Sequence, residues 1–161
     1  MDSKANATRL HKWMRKVPHW LCTVLCLMAI LYLTLMPDPL GDEDLPLFPG
    51  ADKIVHALMF FGLTLCMLFD AMRARGWRKL PLPAVSLISL VGMGVGIGIE
   101  YLQDAMGLGR GKEFLDMVAD AFGAIAAGAL WLLIGGSLTL TEDELKMRDG
   151  NLKGSAEIHE K

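Results

Sequence analysis

Asp52, Lys53 and His56 fall within five consecutive positions, Glu100 and Gln103 lie three apart, and Asp116 and Asp120 lie four apart, with Arg110 and Glu113 just before them. On a helix, residues three or four apart share a face, so each group would aim its polar atoms in one direction. Carboxylates beside a histidine can exchange protons, which makes Glu100, Asp116 and His56 the candidates for acid–base work. Lys53 and Arg110 can meet the anionic oxygens of a phosphate or sugar headgroup. Asp52, Lys53, His56, Glu100, Gln103, Arg110, Glu113, Asp116 and Asp120 therefore form the candidate ligand-binding set. A metal site built from Asp52, His56, Glu100 and Asp116 lacks a diagnostic ligand spacing, so no metal ligands are assigned and no cofactor is named. Plainer roles exist for several of these residues. Asp52 and Asp116 suit helix N-termini, Lys53 can extend to lipid headgroups, and Arg110 can be a solvated loop residue.

The elements that must position these residues are apolar. The 161-residue chain is 53% hydrophobic, contains 11 Met and has a formal net charge of −2. That is too apolar for an ordinary soluble domain, and it offers no bulk attraction to nucleic acid. Four apolar stretches, about 19–36, 54–72, 82–103 and 117–135, approach the roughly 20 residues a helix needs to cross a membrane. Their apolar character is continuous rather than alternating, which disfavours a β-barrel, and in lipid every backbone polar group must be bonded internally. The expected fold is all-α: a transmembrane bundle of four helices over 18–136, preceded by a basic segment 1–17 and followed by a polar tail 137–161. The first stretch ends in Met-Pro-Asp-Pro without a small-x-small cleavage site, so it is read as a span and not as a signal peptide.

Lys and Arg set the orientation. Lys4, Arg9, Lys12, Arg15, Lys16, Arg73, Arg75, Arg78 and Lys79 fall on one side of the four-span topology, and Lys53, Arg110 and Lys112 on the other. The nine-to-three split places the N-terminus in the cytoplasm, and an even number of spans returns the C-terminus to the same side. Trp13, Trp20 and Trp77, with Trp131 nearby, are expected at the inner surface as an interfacial belt. Ionisable residues are expensive within a span, and the reading confines them to the outer helix ends, where segments far apart in sequence converge. His56 and Glu100 lie about a turn inside, and a charged Glu100 needs Arg110, Lys53 or His56 as a partner. Gly123 and Ala127 extend the stripe of Asp116 and Asp120, and Gly92, Gly94, Gly96 and Gly98 put small residues on two faces of the third span, which allows close helix approach. Those glycines follow no strand, so they are not a dinucleotide fingerprint. Ser86 and Ser89 fall in the inner half of that span, away from the candidate site. Cys22, Cys26 and Cys66 all lie within spans and read as small apolar residues. The loop after the first span is acidic, with Asp38, Asp42, Glu43 and Asp44; in the tail, Thr141 and Glu144 have capping-box spacing.

The order Asp52-Lys53-x-x-His56, Glu100-x-x-Gln103, Arg110 and Asp116-x-x-x-Asp120-x-x-Gly123 resembles the VanZ-like family of bacterial membrane proteins, over roughly residues 37–128. That family's pattern has Asn where this chain has Asp120, commonly Gly where it has Ala127, and often Ser or Asp where it has Glu113. The resemblance implies a cell-envelope membrane protein with a link to susceptibility to the glycopeptide teicoplanin. Three readings of function follow. The first is an outward-facing site that binds a lipid-linked or other envelope headgroup, or a glycopeptide. The second is a membrane enzyme acting on a lipid-linked substrate through Glu100, Asp116 and His56. The third is a scaffold or transporter subunit, in which an oligomer would complete a pathway and the polar cluster only joins helices.

Overall fold

The computed structural model describes residues 17–36, 50–107, 113–135, 139, 146 and 147. Among these the architecture is all-α. Four main helices follow in order: α1 (Leu21–Leu35), α2 (Ala51–Ala74), α3 (Leu82–Met106) and α4 (Phe114–Ile134). Local signals set their limits. Gly50, at φ +87°, turns the chain into α2. Pro83 sits in the first turn of α3, where a missing N–H costs nothing, and Gly107 ends that helix in the left-handed region at φ +61°.

The helices α2, α3 and α4 have 24, 25 and 21 residues and are long and apolar enough to cross a membrane. Their outward faces carry large apolar side chains, including Leu58, Leu87, Leu90, Phe122 and Leu133, all more than half exposed. A surface this apolar on a single chain belongs in a nonaqueous environment. The helix α1 differs from the expected span 19–36. It has 15 residues, or about 22 Å of rise, against a hydrocarbon core of about 30 Å.

The helix α2 lies at the centre. Its most extensive interface is with α4, and it also touches α1 and α3; α3 packs on α4 and more lightly on α1. Glycines permit the closest approaches. A side chain at Gly123 would collide with the backbone carbonyl of Ala57, and a Cβ at Gly96 would stand 2.8 Å from Asp120 Oδ2. Gly92 and Gly128 similarly admit the hydroxyls of Thr64 and Ser89. Of the alternating glycines on α3, only Gly92 and Gly96 face the bundle; Gly94 and Gly98 face open space.

Two apolar clusters fill the interior. Ile30, Phe60, Leu63 and Ile99 join α1, α2 and α3. Leu68, Met72, Trp77, Leu80, Val85 and Trp131 close the end where α2 turns into α3. This corrects the expected belt: Trp77 and Trp131 are each only 6% exposed and belong to the core, while Trp20 is exposed. Trp77 has a φ of +67°, uncommon for a bulky residue, and the tight turn tucks its ring edge-on against Phe69 at 5.8 Å.

The expected confinement of ionisable residues to one end also needs correction. At the Trp77 end, buried Asp70 accepts hydrogen bonds from the Thr23 backbone N–H at 2.8 Å and from Thr23 Oγ1 at 2.9 Å. Arg73 donates to Asp70 Oδ1 at 3.3 Å and to the carbonyl of Val17 at 2.7 Å. The N-cap position of α1 is Trp20, which supplies no side-chain cap. Asp70 on the neighbouring helix instead satisfies one of the orphan N–H groups of the first turn. The acidic loop 37–49, Arg110, Lys112, Trp13, Thr141 and Glu144 lie outside the described residues.

Candidate functional site

The starts of α2 and α4 and the end of α3 meet at one end of the bundle, opposite Trp77. Both α2 and α4 begin three residues earlier than the expected spans, at Ala51 and Phe114. Asp52 and Asp116 therefore stand in first turns, at the positive ends of their helix dipoles. Neither makes a side-chain cap: the N-cap positions belong to Gly50 and Glu113.

Lys53 gathers the outer part of the cluster. Its ammonium lies 2.7 Å from Asp52 Oδ2, 2.8 Å from Glu113 Oε2 and 3.0 Å from Asp116 Oδ1. An ammonium has three N–H donors, and these three carboxylates take all of them. Asp52 and Glu113 are exposed, whereas the Asp116 side chain is 12% exposed. Lys53 thus anchors the start of α2 to the start of α4.

A second layer lies deeper. His56 Nδ1 stands 3.0 Å from Asp120 Oδ1 and 3.9 Å from Glu100 Oε1. The side chains of Asp120 and Glu100 are each 1% exposed. Glu100 Oε2 accepts the backbone N–H of Glu113 at 3.2 Å, which ties α3 to the start of α4. Glu100 Oε1 and Asp120 Oδ2 are buried without a hydrogen-bond partner. Two half-satisfied carboxylates in a dry interior are costly and ask for a cation, a proton or a donor.

Most of the candidate set therefore converges: Asp52, Lys53, His56, Glu100, Glu113, Asp116 and Asp120 form one continuous network. Gln103 does not join it. Its amide donates to the Thr34 carbonyl at 2.8 Å, and the Thr34 hydroxyl donates to the Ile30 carbonyl at 2.8 Å. Gln103 thereby bonds α3 to the last turn of α1. Thr34, absent from the sequence candidates, is the residue that makes this link, and its only sequence signal is a hydroxyl in an apolar run. Arg110 lies outside the described residues.

Within the network, five carboxylates face Lys53 and His56. This composition favours cationic ligands and hydrogen-bond donors. A His56 ring that donates Nδ1–H to Asp120 keeps its lone pair on Nε2, where it can take a proton or bind a metal. No family model matches the chain, and no curated protein or solved structure matches it either.

Proposed function

We propose that this chain is a VanZ-like, four-crossing protein of the bacterial cytoplasmic membrane, with both termini inside and the carboxylate–histidine network facing outward, where it binds a cell-envelope headgroup. In this reading α1 is the fourth and shortest crossing. The nine-to-three distribution of Lys and Arg supports the orientation. The observation that carries the binding role is the pair of buried carboxylates, Glu100 and Asp120, each with an unpartnered oxygen beside His56. Helix association alone would be served better by paired or apolar side chains.

The charge balance narrows the ligand. Lys53 is fully engaged, so the described residues of this network offer no further Lys or Arg to hold a phosphate. The acceptors suit hydroxyl and ammonium groups, such as those of the sugar–peptide part of a lipid-linked cell-wall precursor or of a glycopeptide. The test is binding of such a precursor and of teicoplanin to the chain in lipid nanodiscs. Glu100→Gln keeps an oxygen for the Glu113 N–H and removes the charge. It should weaken binding at least about tenfold, or about 1.4 kcal/mol, with helix content unchanged. Equal binding by the variant and the original chain would sink this reading.

One observation favours a second reading, that of an enzyme. The His56–Asp120 contact has the form of a base held by an orienting carboxylate. It predicts turnover of a lipid-linked substrate that disappears in both His56→Gln and Glu100→Gln.

A further inference from the structure

We propose that His56, Glu100 and Asp116 bind one divalent transition-metal ion of the Zn2+ or Mn2+ class at the base of this site. The inference deepens the binding-site reading above and rests on it: a cluster that served only as helix glue would have no place for an ion.

The geometry supplies the ligand set. One ligand atom from each of His56, Glu100 and Asp116 lies within 4.8 Å of the others. Ligands about 2.0–2.2 Å from one ion stand about 3–4 Å apart, so small side-chain rotations close the site. The three residues come from three helices, α2, α3 and α4, and the α3–α4 connection brings Glu100 and Asp116 together. Imidazole with carboxylates is a donor set for first-row ions such as Zn2+ and Mn2+, whereas Mg2+ and Ca2+ prefer oxygen alone.

Two further observations point to an ion. The Glu100 side chain is 1% exposed, and its Oε1 is buried without a hydrogen-bond partner. In addition, the site holds two trios of potential ligands that share Asp116. The outer trio, Asp52, Glu113 and Asp116, already surrounds a cation, the Lys53 ammonium. The inner trio has no such cation among the described residues, although it is the more deeply buried of the two. Asp116 spends Oδ1 on Lys53, and a carboxylate has a second oxygen that can serve as a ligand. Asp120, hydrogen-bonded to the His56 ring, takes the place of the carboxylate that orients a metal-bound histidine. The rival source of positive charge is Arg110.

The test uses the untagged full chain in nanodiscs, stripped with chelator, and titrated with Zn2+ and Mn2+ alone. One ion per chain should bind, and His56→Gln and Glu100→Gln should each weaken it about 100-fold. A second measurement leaves the site intact. With His11, His19 and His159 replaced by Ala, His56 is the sole imidazole, and the bound Mn2+ should show imidazole-nitrogen coupling in pulsed EPR. Absence of that coupling, or no binding tighter than about 1 mM, overturns the inference. The ligand-free format separates the two readings. Headgroup binding without ion binding sinks this inference alone, and ion binding without headgroup binding sinks only the earlier one.

Discussion

Asp70 and Glu100 are both buried carboxylates, yet their surroundings assign them opposite tasks. Asp70 is satisfied from three directions, by the Thr23 N–H, the Thr23 hydroxyl and Arg73. Glu100 keeps one oxygen unpartnered. A satisfied carboxylate holds structure, and an unsatisfied one invites a ligand. Arg73→Met should therefore destabilise the fold, because it strands the Asp70 charge. Breaking one partner of a buried pair costs about 3–5 kcal/mol, measurable as a loss of stability in denaturant titration, and Asp70→Asn in the same chain should recover part of it. Unchanged stability of the single variant would refute this account. The carboxylate network was legible in the sequence because antiparallel spans must bring Asp52, Glu100 and Asp116 to one end whatever their rotation. Asp70 was not legible in that way, since its partner Thr23 lies 47 positions away on another helix. The i, i+3 spacing of Asp70 and Arg73 inside an apolar run was the available signal.

At the scale of elements, the α2–α4 contact fixes the site. Gly123 lets α4 rest against the Ala57 carbonyl, one position after His56 and one turn along α4 from Asp120. Gly123→Val must push the helices apart, and overpacking of this kind costs about 1–3 kcal/mol or more. The displacement would also separate His56 from Asp120, so ligand or ion binding should fall along with stability. Gly94→Ala is the contrasting case. A Cβ added at Gly94 would meet no other part of the molecule within 4 Å beyond its own helix turn, and Ala is the better helix former by up to about 1 kcal/mol. That variant should melt at the same or a higher temperature, and a matching loss in both variants would refute the packing account. Sequence periodicity showed that α3 carries small residues on two faces, but only packing distinguishes Gly92 and Gly96 from Gly94 and Gly98. The early start of α2 escaped the apolar pattern because its first turn carries Asp52 and Lys53, and that of α4 because Asp116 and the preceding Glu113 interrupt the apolar run. Lys53 was placed in the candidate set from the sequence, but its role as a clamp between two helices shows only in the packing.

For the whole molecule, the proposed orientation makes a labelling prediction. In a chain with Cys22, Cys26 and Cys66 replaced by Ala, Asp104→Cys at the exposed end of α3 should react with a membrane-impermeant maleimide in intact cells. Lys79→Cys, in the turn between α2 and α3, should react only after permeabilisation. The reverse pattern would invert the topology and turn the network toward the cytoplasm. Fold class and helix number were readable from apolar run lengths, because lipid leaves an isolated chain few alternatives to helices. The packing of Trp77 and Trp131 was not, since interfacial and core tryptophans share the same sequence position near a span's end.

The two polar layers also set a ruler across the molecule. His56 and Asp70 stand fourteen positions apart on α2, a rise of about 21 Å, and α1 matches that span with its 15 residues. An undisturbed hydrocarbon slab is about 30 Å thick. On the four-crossing reading, α1 is the short element beside three full-length helices, and thinning of the bilayer around α1 is one way such a mismatch is met. Such a dimple would lower the lipid headgroups to the level of His56 and Glu100. A molecule tethered to a lipid tail would then reach these buried carboxylates without leaving the membrane.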